Sequence, residues 1–219
     1  MPGGNFKQDV YAQLARVAKA VGHANRLELL EFVCQGPRSV DELASMTHLS
    51  VANASKHLQE LRQAGLVRAR KEGVRVFYEV AGPDVVDLLA ALRTVAETRV
   101  AEVSQLLRTY ITARDALEPI PADELMERAR LGLVTVLDVR PAEEYASGHV
   151  PGAVNITLDA LSGHLKRLPK GREVIAYCRG PYCLLSVDAV ALLREKGYKA
   201  RRLEDGFPEW KAAGMPVEG

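Results

Sequence analysis

Residues 49–80, LSVANASKHLQELRQAGLVRARKEGVRVFYEV, pass from a helical pattern to a β-hairpin pattern within a few positions. Apolar residues at spacings of three and four predict one buried helical face, formed by Val51, Ala54, Leu58 and Leu61. Ser50 is a suitable N-cap for this helix, and Gly65 ends it. Two strands, 67–71 and 74–80, follow around a Glu-Gly turn. The stretch therefore predicts a helix followed by a hairpin.

Three shorter helices precede this stretch. The first has its apolar residues on one face, at Val10, Leu14, Val17 and Val21, and it stops at Gly22. A second starts after Asn25, a suitable N-cap, and stops near Gly36. Ser39 and Glu42 form the capping box of a third. The front of the chain is therefore predicted to be mainly helical.

A long helix is predicted after the hairpin, from about residue 83 to residue 114. Its apolar residues form one continuous seam, made of Val85, Leu89, Leu92, Ala96, Val100, Val103, Leu107 and Tyr110. Because this seam is longer than a small domain can cover, we expect a partner helix from a second copy of the chain.

The helix and hairpin of residues 49–80 carry surplus positive charge. Between positions 50 and 75 the acids are Glu60 and Glu72, and the basic residues are Lys56, Arg62, Arg68, Arg70, Lys71 and Arg75. A solvated surface would account for the charges alone, but short helices followed by a basic hairpin favour DNA. The predicted DNA-binding residues are Ser50, Asn53, Ser55, Lys56, His57, Arg62, Arg68, Arg70, Lys71 and Arg75.

The pattern changes at residues 114–124, RDALEPIPADE, where Pro119 and Pro121 disfavour helix. Beyond this point short apolar runs alternate with helical stretches, which is typical of an α/β unit. The predicted organisation is a helix-rich domain at 1–114, a linker at 115–121 and an α/β domain at 122–219.

In the α/β half, the sequence AYCRGPYCLLS, residues 176–186, links a predicted strand to a predicted helix. Backbone N–H groups of such a turn converge on one point, and the helix dipole is aimed at it. We therefore expect a lowered pKa for the Cys178 thiol and make Cys178 the candidate nucleophile. Gly180 is predicted to permit the tight backbone path, and Arg179 to add positive charge. The candidate loop comprises Arg179, Gly180, Pro181, Tyr182 and Cys183.

The overall composition limits the classes of protein to which this chain is expected to belong. The chain has 219 residues, a formal net charge of +1 and ordinary apolar (47%) and charged (26%) fractions. It has no apolar run of membrane-spanning length, and its first residues do not resemble a secretory signal. Three cysteines without framework spacing predict reduced thiols in a cytoplasmic protein. The five histidines show no ligand spacing, so we expect neither a metal nor a cofactor.

The front half resembles the ArsR/SmtB family of bacterial winged-helix repressors. The resemblance covers roughly residues 8–110 and rests on ANRLELLEFV (24–33), SVDELA (39–44) and residues 49–80. It implies a homodimer through the first and last helices, with two recognition helices reading an inverted repeat in double-stranded DNA. Metal-sensing members use a Cys-x-Cys pair where this chain has Ser39 and Asp41, or histidines on a last helix that here has none.

Cys34, near the end of the second helix, has two readings. Free cysteine is among the most buried residue types, so a small packed side chain is the first. The second is a redox or sulfur-sensing thiol, because relatives that sense persulfides pair a second-helix cysteine with one on the last helix. The last helix of this chain has no cysteine.

The back half resembles the rhodanese family, sulfurtransferases that carry sulfane sulfur on one cysteine. The resemblance covers about residues 119–217 and rests on VTVLDVRPAEEYASGHVPGAVNI (134–156), the cysteine loop and DGFPEWKAAGMPV (205–217). It implies a parallel central sheet, a sulfur-carrying Cys178, and Asp138 and Arg140 in supporting roles. The related phosphatase loop has a cysteine, five further residues and then Arg, and this chain has Leu184 at the position of that Arg.

The loop also departs from many rhodaneses. Tyr182 and Cys183 stand near its end, where many members carry Arg to hold thiosulfate. An organic, low-molecular-weight or protein persulfide is therefore the expected sulfur donor. Cys183 is either a packed residue of the first helical turn or a thiol that resolves a modified Cys178.

Together the two halves predict a transcriptional regulator, a repressor by its resemblance, that couples reactive sulfur or redox state at Cys178 to operator binding. Two alternatives remain open at this point. One is a sulfurtransferase enzyme that the winged-helix module merely dimerises, and the other is a thiol-based metal sensor using the three cysteines.

Overall fold

The computed structural model describes residues 5–113 and 119–219. Contacts divide the chain into two compact units, Met1–Val85 and Val86–Gly219. The long helix after the hairpin thus contributes mostly to the second unit. The predicted linker, 115–121, lies largely outside the described residues, and the domain limits derived from the sequence remain predictions. Within the described ranges, no helix is long and apolar enough to cross a membrane.

The first unit is mainly helical with a small antiparallel sheet. Its elements are α1 (Phe6–Val21), α2 (Ala24–Cys34), β1 (Arg38–Ser39), α3 (Val40–Met46), α4 (Val51–Gln63), β2 (Val67–Glu72) and β3 (Arg75–Val80). The strands lie in the order β1-β3-β2, and β2 and β3 form the predicted hairpin. Gly73 in the turn has a φ of 59°, a left-handed conformation that favours glycine.

Caps set the ends of these helices. The Ser39–Glu42 capping box and the Ser50 N-cap are present as predicted. The start of α2 differs, because His23 is its N-cap and accepts the Asn25 N–H on Nδ1 at 3.2 Å. Asn25 is therefore inside the helix rather than its cap: His23 has the extended backbone that an N-cap needs.

A buried arginine joins three helices of the first unit. Arg26, on α2, donates to the carbonyl oxygens of Lys19 (2.7 Å) and Ala20 (2.5 Å) near the end of α1. Its third bond, 2.5 Å long, reaches the Glu60 carboxylate on α4. Because these carbonyls end a helix without intrahelical partners, a guanidinium satisfies several acceptors at once. Arg26 thus fixes α4 against α1 and α2.

The second unit contains the α/β fold. Its elements are α5 (Pro83–Arg99), α6 (Ala101–Leu107), a π-helical turn (Arg108–Thr112), α7 (Ala122–Arg130), β4 (Val134–Asp138), α8 (Ala142–Ala146), β5 (Val154–Asn155), α9 (Leu158–His164), a 3-10 turn (Leu165–Arg167), β6 (Glu173–Tyr177), α10 (Leu184–Glu195), β7 (Ala200–Arg202) and α11 (Phe207–Ala212). The four strands are parallel, in the order β5-β4-β6-β7.

The central strand β6 is buried on both faces, as parallel strands between helices usually are. Val174, Ala176 and the following Cys178 belong to one apolar cluster, whereas Ile175 and Tyr177 belong to the other. This alternation follows from the two-residue period of a strand. The predicted fold class, a winged helix-turn-helix followed by an α/β unit with a parallel sheet, is confirmed.

The prediction of one continuous helix over residues 83–114 is wrong. α5 ends at Arg99, Val100 has an extended backbone (φ −110°, ψ 106°), and α6 begins at Ala101. Side-chain hydroxyls compete for the carbonyls here: Thr98 Oγ1 bonds Thr94 O at 2.7 Å, and Ser104 Oγ bonds Glu97 O at 2.7 Å. Together with the β-branched Val100, these bonds favour a break that apolar spacing alone does not reveal.

A buried ion pair lies at the carboxyl end of strand β4 in the second unit. Asp138, the last residue of β4, and Arg140 are both fully buried and bonded through Arg140 Nη2 and Asp138 Oδ2 at 2.7 Å. The guanidinium also donates to Gly148 O at 2.8 Å and lies 4.2 Å from the centroid of the Phe207 ring. Burial opposes its charge, but the Asp138 carboxylate outweighs this and raises the pKa of Arg140 above its ordinary value.

We expect Asp138→Ala to lower the free energy of unfolding by about 3–5 kcal/mol, because it leaves the Arg140 charge buried and unpaired. Denaturant unfolding of the full chain measures this loss. Asp87→Ala, at an exposed position of α5, is the control and should change stability by less than about 0.5 kcal/mol. Equal stability of the two variants would contradict the supporting role of the pair.

Candidate functional site

Cys178 lies at the carboxyl end of β6, where the chain leaves the sheet and turns into α10. The N–H of Phe207 donates to Cys178 O at 3.1 Å and holds this end of the strand. Cys183 is the N-cap residue of α10, and its sulfur is joined to that of Cys178 in a disulfide with a Cα–Cα distance of 6.2 Å. The structure therefore brings together the two cysteines that the sequence placed around one turn.

The backbone of the loop folds on itself between the cysteines. The N–H of Cys183 donates to Gly180 O at 3.1 Å, so this amide closes the turn. Cys178 is 1% exposed, while Cys183 is half-buried above it. A sulfur in a disulfide does not ionise, so the lowered thiol pKa expected for Cys178 concerns the reduced protein.

Arg179 is bound to a carboxylate that sequence reasoning did not single out. Its Nε lies 3.0 Å from both carboxylate oxygens of Glu144, and its Nη2 lies 2.8 Å from Glu144 Oε1. Glu144 is fully buried at 0% exposure. This bidentate ion pair connects the loop to α8 and compensates the positive charge that Arg179 was predicted to add.

The prediction that Gly180 permits the tight turn is wrong. Its φ is not in the left-handed region, and a Cβ built on it meets no atom within 4 Å. The glycine that the loop requires is Gly206, at the start of α11, where a Cβ would collide with the backbone of Arg179 and Gly180. The constraint lies in a neighbouring segment, so the loop sequence alone does not reveal it.

Asp138 and Arg140 reach the loop through Phe207. The Phe207 ring covers the Arg140 guanidinium, and the Phe207 N–H binds the carbonyl of Cys178. Asp138 is paired with Tyr177 across the β4–β6 register, one residue before the cysteine. Asp138 thus lies beside the strand end that carries Cys178, and the supporting role expected for the pair stays a prediction.

Most of the predicted DNA-binding residues are exposed. They lie on α4, at its N-cap or on the β2–β3 hairpin, and the exposed ones are Ser50, Asn53, Lys56, Arg62, Arg68, Arg70, Lys71 and Arg75. Ser50 Oγ accepts the Asn53 N–H at 3.3 Å, and Arg70 is paired with Glu72. Ser55, which is half-buried, and the exposed Arg62 help to line a groove of about 520 Å³ between α4 and β3.

His57 differs from the rest of this set. It is half-buried, and its ring lies against that of His23 with centroids 4.6 Å apart. Its Nδ1 is enclosed and, among the described residues, has no hydrogen-bond partner. Burial, followed by the repulsion of His23 and Arg26, lowers the pKa of His57, which favours a neutral ring.

Cys34, at the end of α2, is half-buried and is not part of a disulfide. Over the ranges that the structure describes, no three His, Cys, Asp or Glu side chains are grouped so that they would hold a metal ion. The disulfide further occupies the two other cysteines.

Residues 23–69 match the family model described as bacterial regulatory protein, arsR family, and residues 121–213 match the model of the rhodanese-like domain. A curated HTH-type transcriptional regulator of Mycobacterium tuberculosis is 42% identical over 94% of this chain and 90% of its own length. A sulfurtransferase of Allochromatium vinosum is 31% identical over 38% of this chain and 78% of its own.

Among solved structures, the homodimeric winged helix-turn-helix DNA-binding domain of a possible ArsR-family regulator from Mycobacterium bovis is similar to the front of the chain. Its sequence identity is 38%, it covers 46% of this chain and 93% of its own, and the TM-score is 0.42.

Gly180, in the loop, and Gly206, at the start of α11, give a matched pair of variants. We expect Gly206→Ala to displace the Arg179–Gly180 backbone and to lower both the free energy of unfolding, by about 1–3 kcal/mol, and the yield of the Cys178–Cys183 disulfide. Gly180→Ala, with open space around its Cβ, should leave both unchanged. Denaturant unfolding and thiol titration measure the two effects, and the opposite ranking would refute this assignment.

Proposed function

This chain belongs to the ArsR family of bacterial regulatory proteins and carries a rhodanese-like domain, and from this premise we propose that it is a DNA-binding transcriptional regulator, a repressor, whose operator affinity depends on sulfur chemistry at Cys178. The observation that carries the proposal is the placement of Cys178 and Cys183 at bonding distance, at a strand end facing the start of a helix.

The first chemical step is the transfer of sulfur to Cys178. The reduced Cys178 thiolate attacks the outer sulfur of a persulfide, R–S–SH. The S–S bond of the donor breaks, R–S⁻ leaves and takes up the proton, and Cys178–S–S⁻ forms. Loop N–H groups and the N-terminus of α10, a helix of 12 residues, favour a negative charge at this place.

The second step uses Cys183. The Cys183 thiol gives its proton to the terminal sulfur of Cys178–S–S⁻, and the resulting thiolate attacks the sulfur attached to Cys178 Cβ. The bond to the terminal sulfur breaks, and sulfide leaves as HS⁻. The product is the Cys178–Cys183 disulfide, which is the state that the structure contains. A low-molecular-weight thiol present in excess restores both thiols by exchange and is itself oxidised to its disulfide. Cys183 thus acts as the resolving thiol.

The first unit supplies the DNA-binding part of the proposal. Exposed basic residues on α4 and the hairpin suit phosphate contacts, and the N-terminal turn of α4 suits base edges in the major groove. The apolar face of α1 remains uncovered in the single chain, since Val10 is 40% and Leu14 57% exposed. Such a face supports a homodimer, and two recognition helices then suit an inverted repeat.

We expect binding to a duplex operator fragment to weaken steeply with salt, and Lys56→Ala to reduce the slope of log K against log[salt] by about one unit per protomer. Lys211→Ala, an exposed change on α11, is the control and should leave the slope unchanged. Fluorescence anisotropy at several salt concentrations measures the slopes. Absence of salt-sensitive binding, with rapid sulfur turnover, would instead favour the enzyme that the winged-helix module only dimerises.

We expect one equivalent of a low-molecular-weight persulfide to convert the reduced protein to the disulfide form, with the loss of two hydrogens, the release of one equivalent of sulfide and a fall in operator affinity of about tenfold. Cys183→Ser should instead keep the mass of one added sulfur on Cys178 and release no sulfide. Mass spectrometry, a sulfide assay and operator titration measure these results.

Cys178→Ser is the control for the sulfur prediction, and it should gain no sulfur at this loop and show one operator affinity throughout. Cys34→Ser should behave as the wild type. If the wild type and Cys178→Ser bind the operator equally in every state, the proposed switch does not exist.

A further inference from the structure

A helix outside the rhodanese-like segment contacts the sulfur-transfer loop. Arg93 and Glu97 lie on α5, four residues apart, and therefore on the same face of the helix. The segment that matches the rhodanese-like domain begins only at residue 121. Both side chains are half-buried, and both reach residues of the loop region within the second compact unit.

The first contact holds the loop itself. Tyr182 stands directly before Cys183, and its hydroxyl donates to Glu97 Oε1 at 2.7 Å. Partial burial and the hydrogen bond to the Glu97 carboxylate raise the pKa of Tyr182, so the hydroxyl stays a donor at neutral pH. A charge-assisted bond of this length fixes the tyrosine more firmly than a neutral one would.

The second contact holds the support of the loop. Arg93 Nη2 lies 2.5 Å from Glu209 Oε1, and the other oxygen of Glu209 accepts the Gly206 N–H at 3.2 Å. Gly206 in turn packs against the backbone of Arg179 and Gly180. The side chains of Arg93 and Glu209 are 21% and 12% exposed, so this pair is shielded from water more than an ordinary surface ion pair.

We propose that Glu97 and Arg93 are positioning residues for the Cys178–Cys183 loop, supplied by the helix that follows the wing of the DNA-binding unit. Glu97 holds the end of the loop at Tyr182, and Arg93 holds its base through Glu209. The inference rests on the proposed sulfur chemistry at Cys178 and deepens it by naming the element that senses the loop.

The position of Tyr182 makes it responsive to the state of the cysteines. Bonded sulfurs must lie closer together than a persulfide and a thiol, so opening the disulfide changes the position of Cys183 and of the residue joined to it. A tyrosine fixed to Glu97 passes that displacement to α5. Because coupling is reciprocal, a displacement of α5 also changes how readily the loop closes.

The covalent chain gives the route onward. α5 begins at Pro83, and strand β3 of the hairpin ends at Val80. Helix α5, which contacts the loop at Glu97, is thus joined by residues 81 and 82 to the hairpin that carries Arg75. No second contact is needed to connect the sulfur chemistry to a predicted DNA-binding segment.

The test compares Tyr182→Phe, Glu97→Ala and the double variant in the full chain, with a low-molecular-weight persulfide as the probe. We expect each single variant to slow single-turnover sulfide release about tenfold, and the double variant to slow it no further, because both changes remove the same bond. Glu97→Gln keeps an acceptor oxygen and should stay within about threefold of the wild type.

The same variants are measured for operator binding in the reduced and disulfide forms. The affinity ratio between the two forms should fall from about tenfold towards one in Tyr182→Phe and Glu97→Ala. Glu102→Ala, at an exposed position of α6, is the control that should keep the wild-type rate and ratio. A role in stability alone would lower the unfolding free energy of these variants but would leave the sulfide-release rate and the affinity ratio of the folded protein unchanged.

The outcomes separate the two proposals. Wild-type rates and ratios in Tyr182→Phe and Glu97→Ala, or additive effects in the double variant, would overturn the positioning role while leaving sulfur transfer at Cys178 intact. If the wild type itself takes up no sulfur, the proposed function fails first, and this inference fails with it.

Discussion

The buried Asp138–Arg140 ion pair is the constraint on which the candidate loop depends. Neither charge is accessible to water, so each must keep the other in place, and the guanidinium also satisfies Gly148 O and supports the Phe207 ring. Phe207 binds the carbonyl of Cys178, and the preceding Gly206 packs under the loop backbone. The candidate nucleophile Cys178, on an irregular turn, is therefore held by a rigid base, as positioned chemistry requires.

The loop differs from its base in how it is held. Cys178 and Cys183 pack in an apolar cluster, whereas Arg179 and Tyr182 reach neighbouring elements through polar bonds, to Glu144 and Glu97 respectively. Such bonds constrain direction but are individually modest, so they allow a change of position that a packed apolar contact would resist. The rigid base and the polar bonds of Arg179 and Tyr182 are therefore compatible with sulfurs that separate and rejoin while the sheet stays folded.

Local patterns predicted much of this arrangement. The recognition helix, the hairpin, the Ser39 and Ser50 caps and the strand before Cys178 all follow from spacing, caps and short apolar runs, which are short-range properties of the chain. Features that depend on distant segments were missed: Gly206 rather than Gly180 limits the turn, and Glu144 compensates Arg179. The break at Val100 escaped notice because apolar spacing continues through it, while hydroxyl bonds at Thr98 and Ser104 redirect the carbonyls.

If Cys183 resolves a modified Cys178, the final state of the loop does not depend on which modification was present. In the proposed chemistry, Cys183 resolves a persulfide on Cys178 with the loss of sulfide and a sulfenic acid there with the loss of water; both reactions end in one disulfide. The structure of the loop after resolution is then the same for either input, and Tyr182 occupies one position relative to Glu97. With the proposed coupling through Tyr182, helix α5 would distinguish only a closed loop from an open one. On this reasoning the regulator measures the balance between oxidising sulfur species and reducing thiols, and not the identity of the species that reacted.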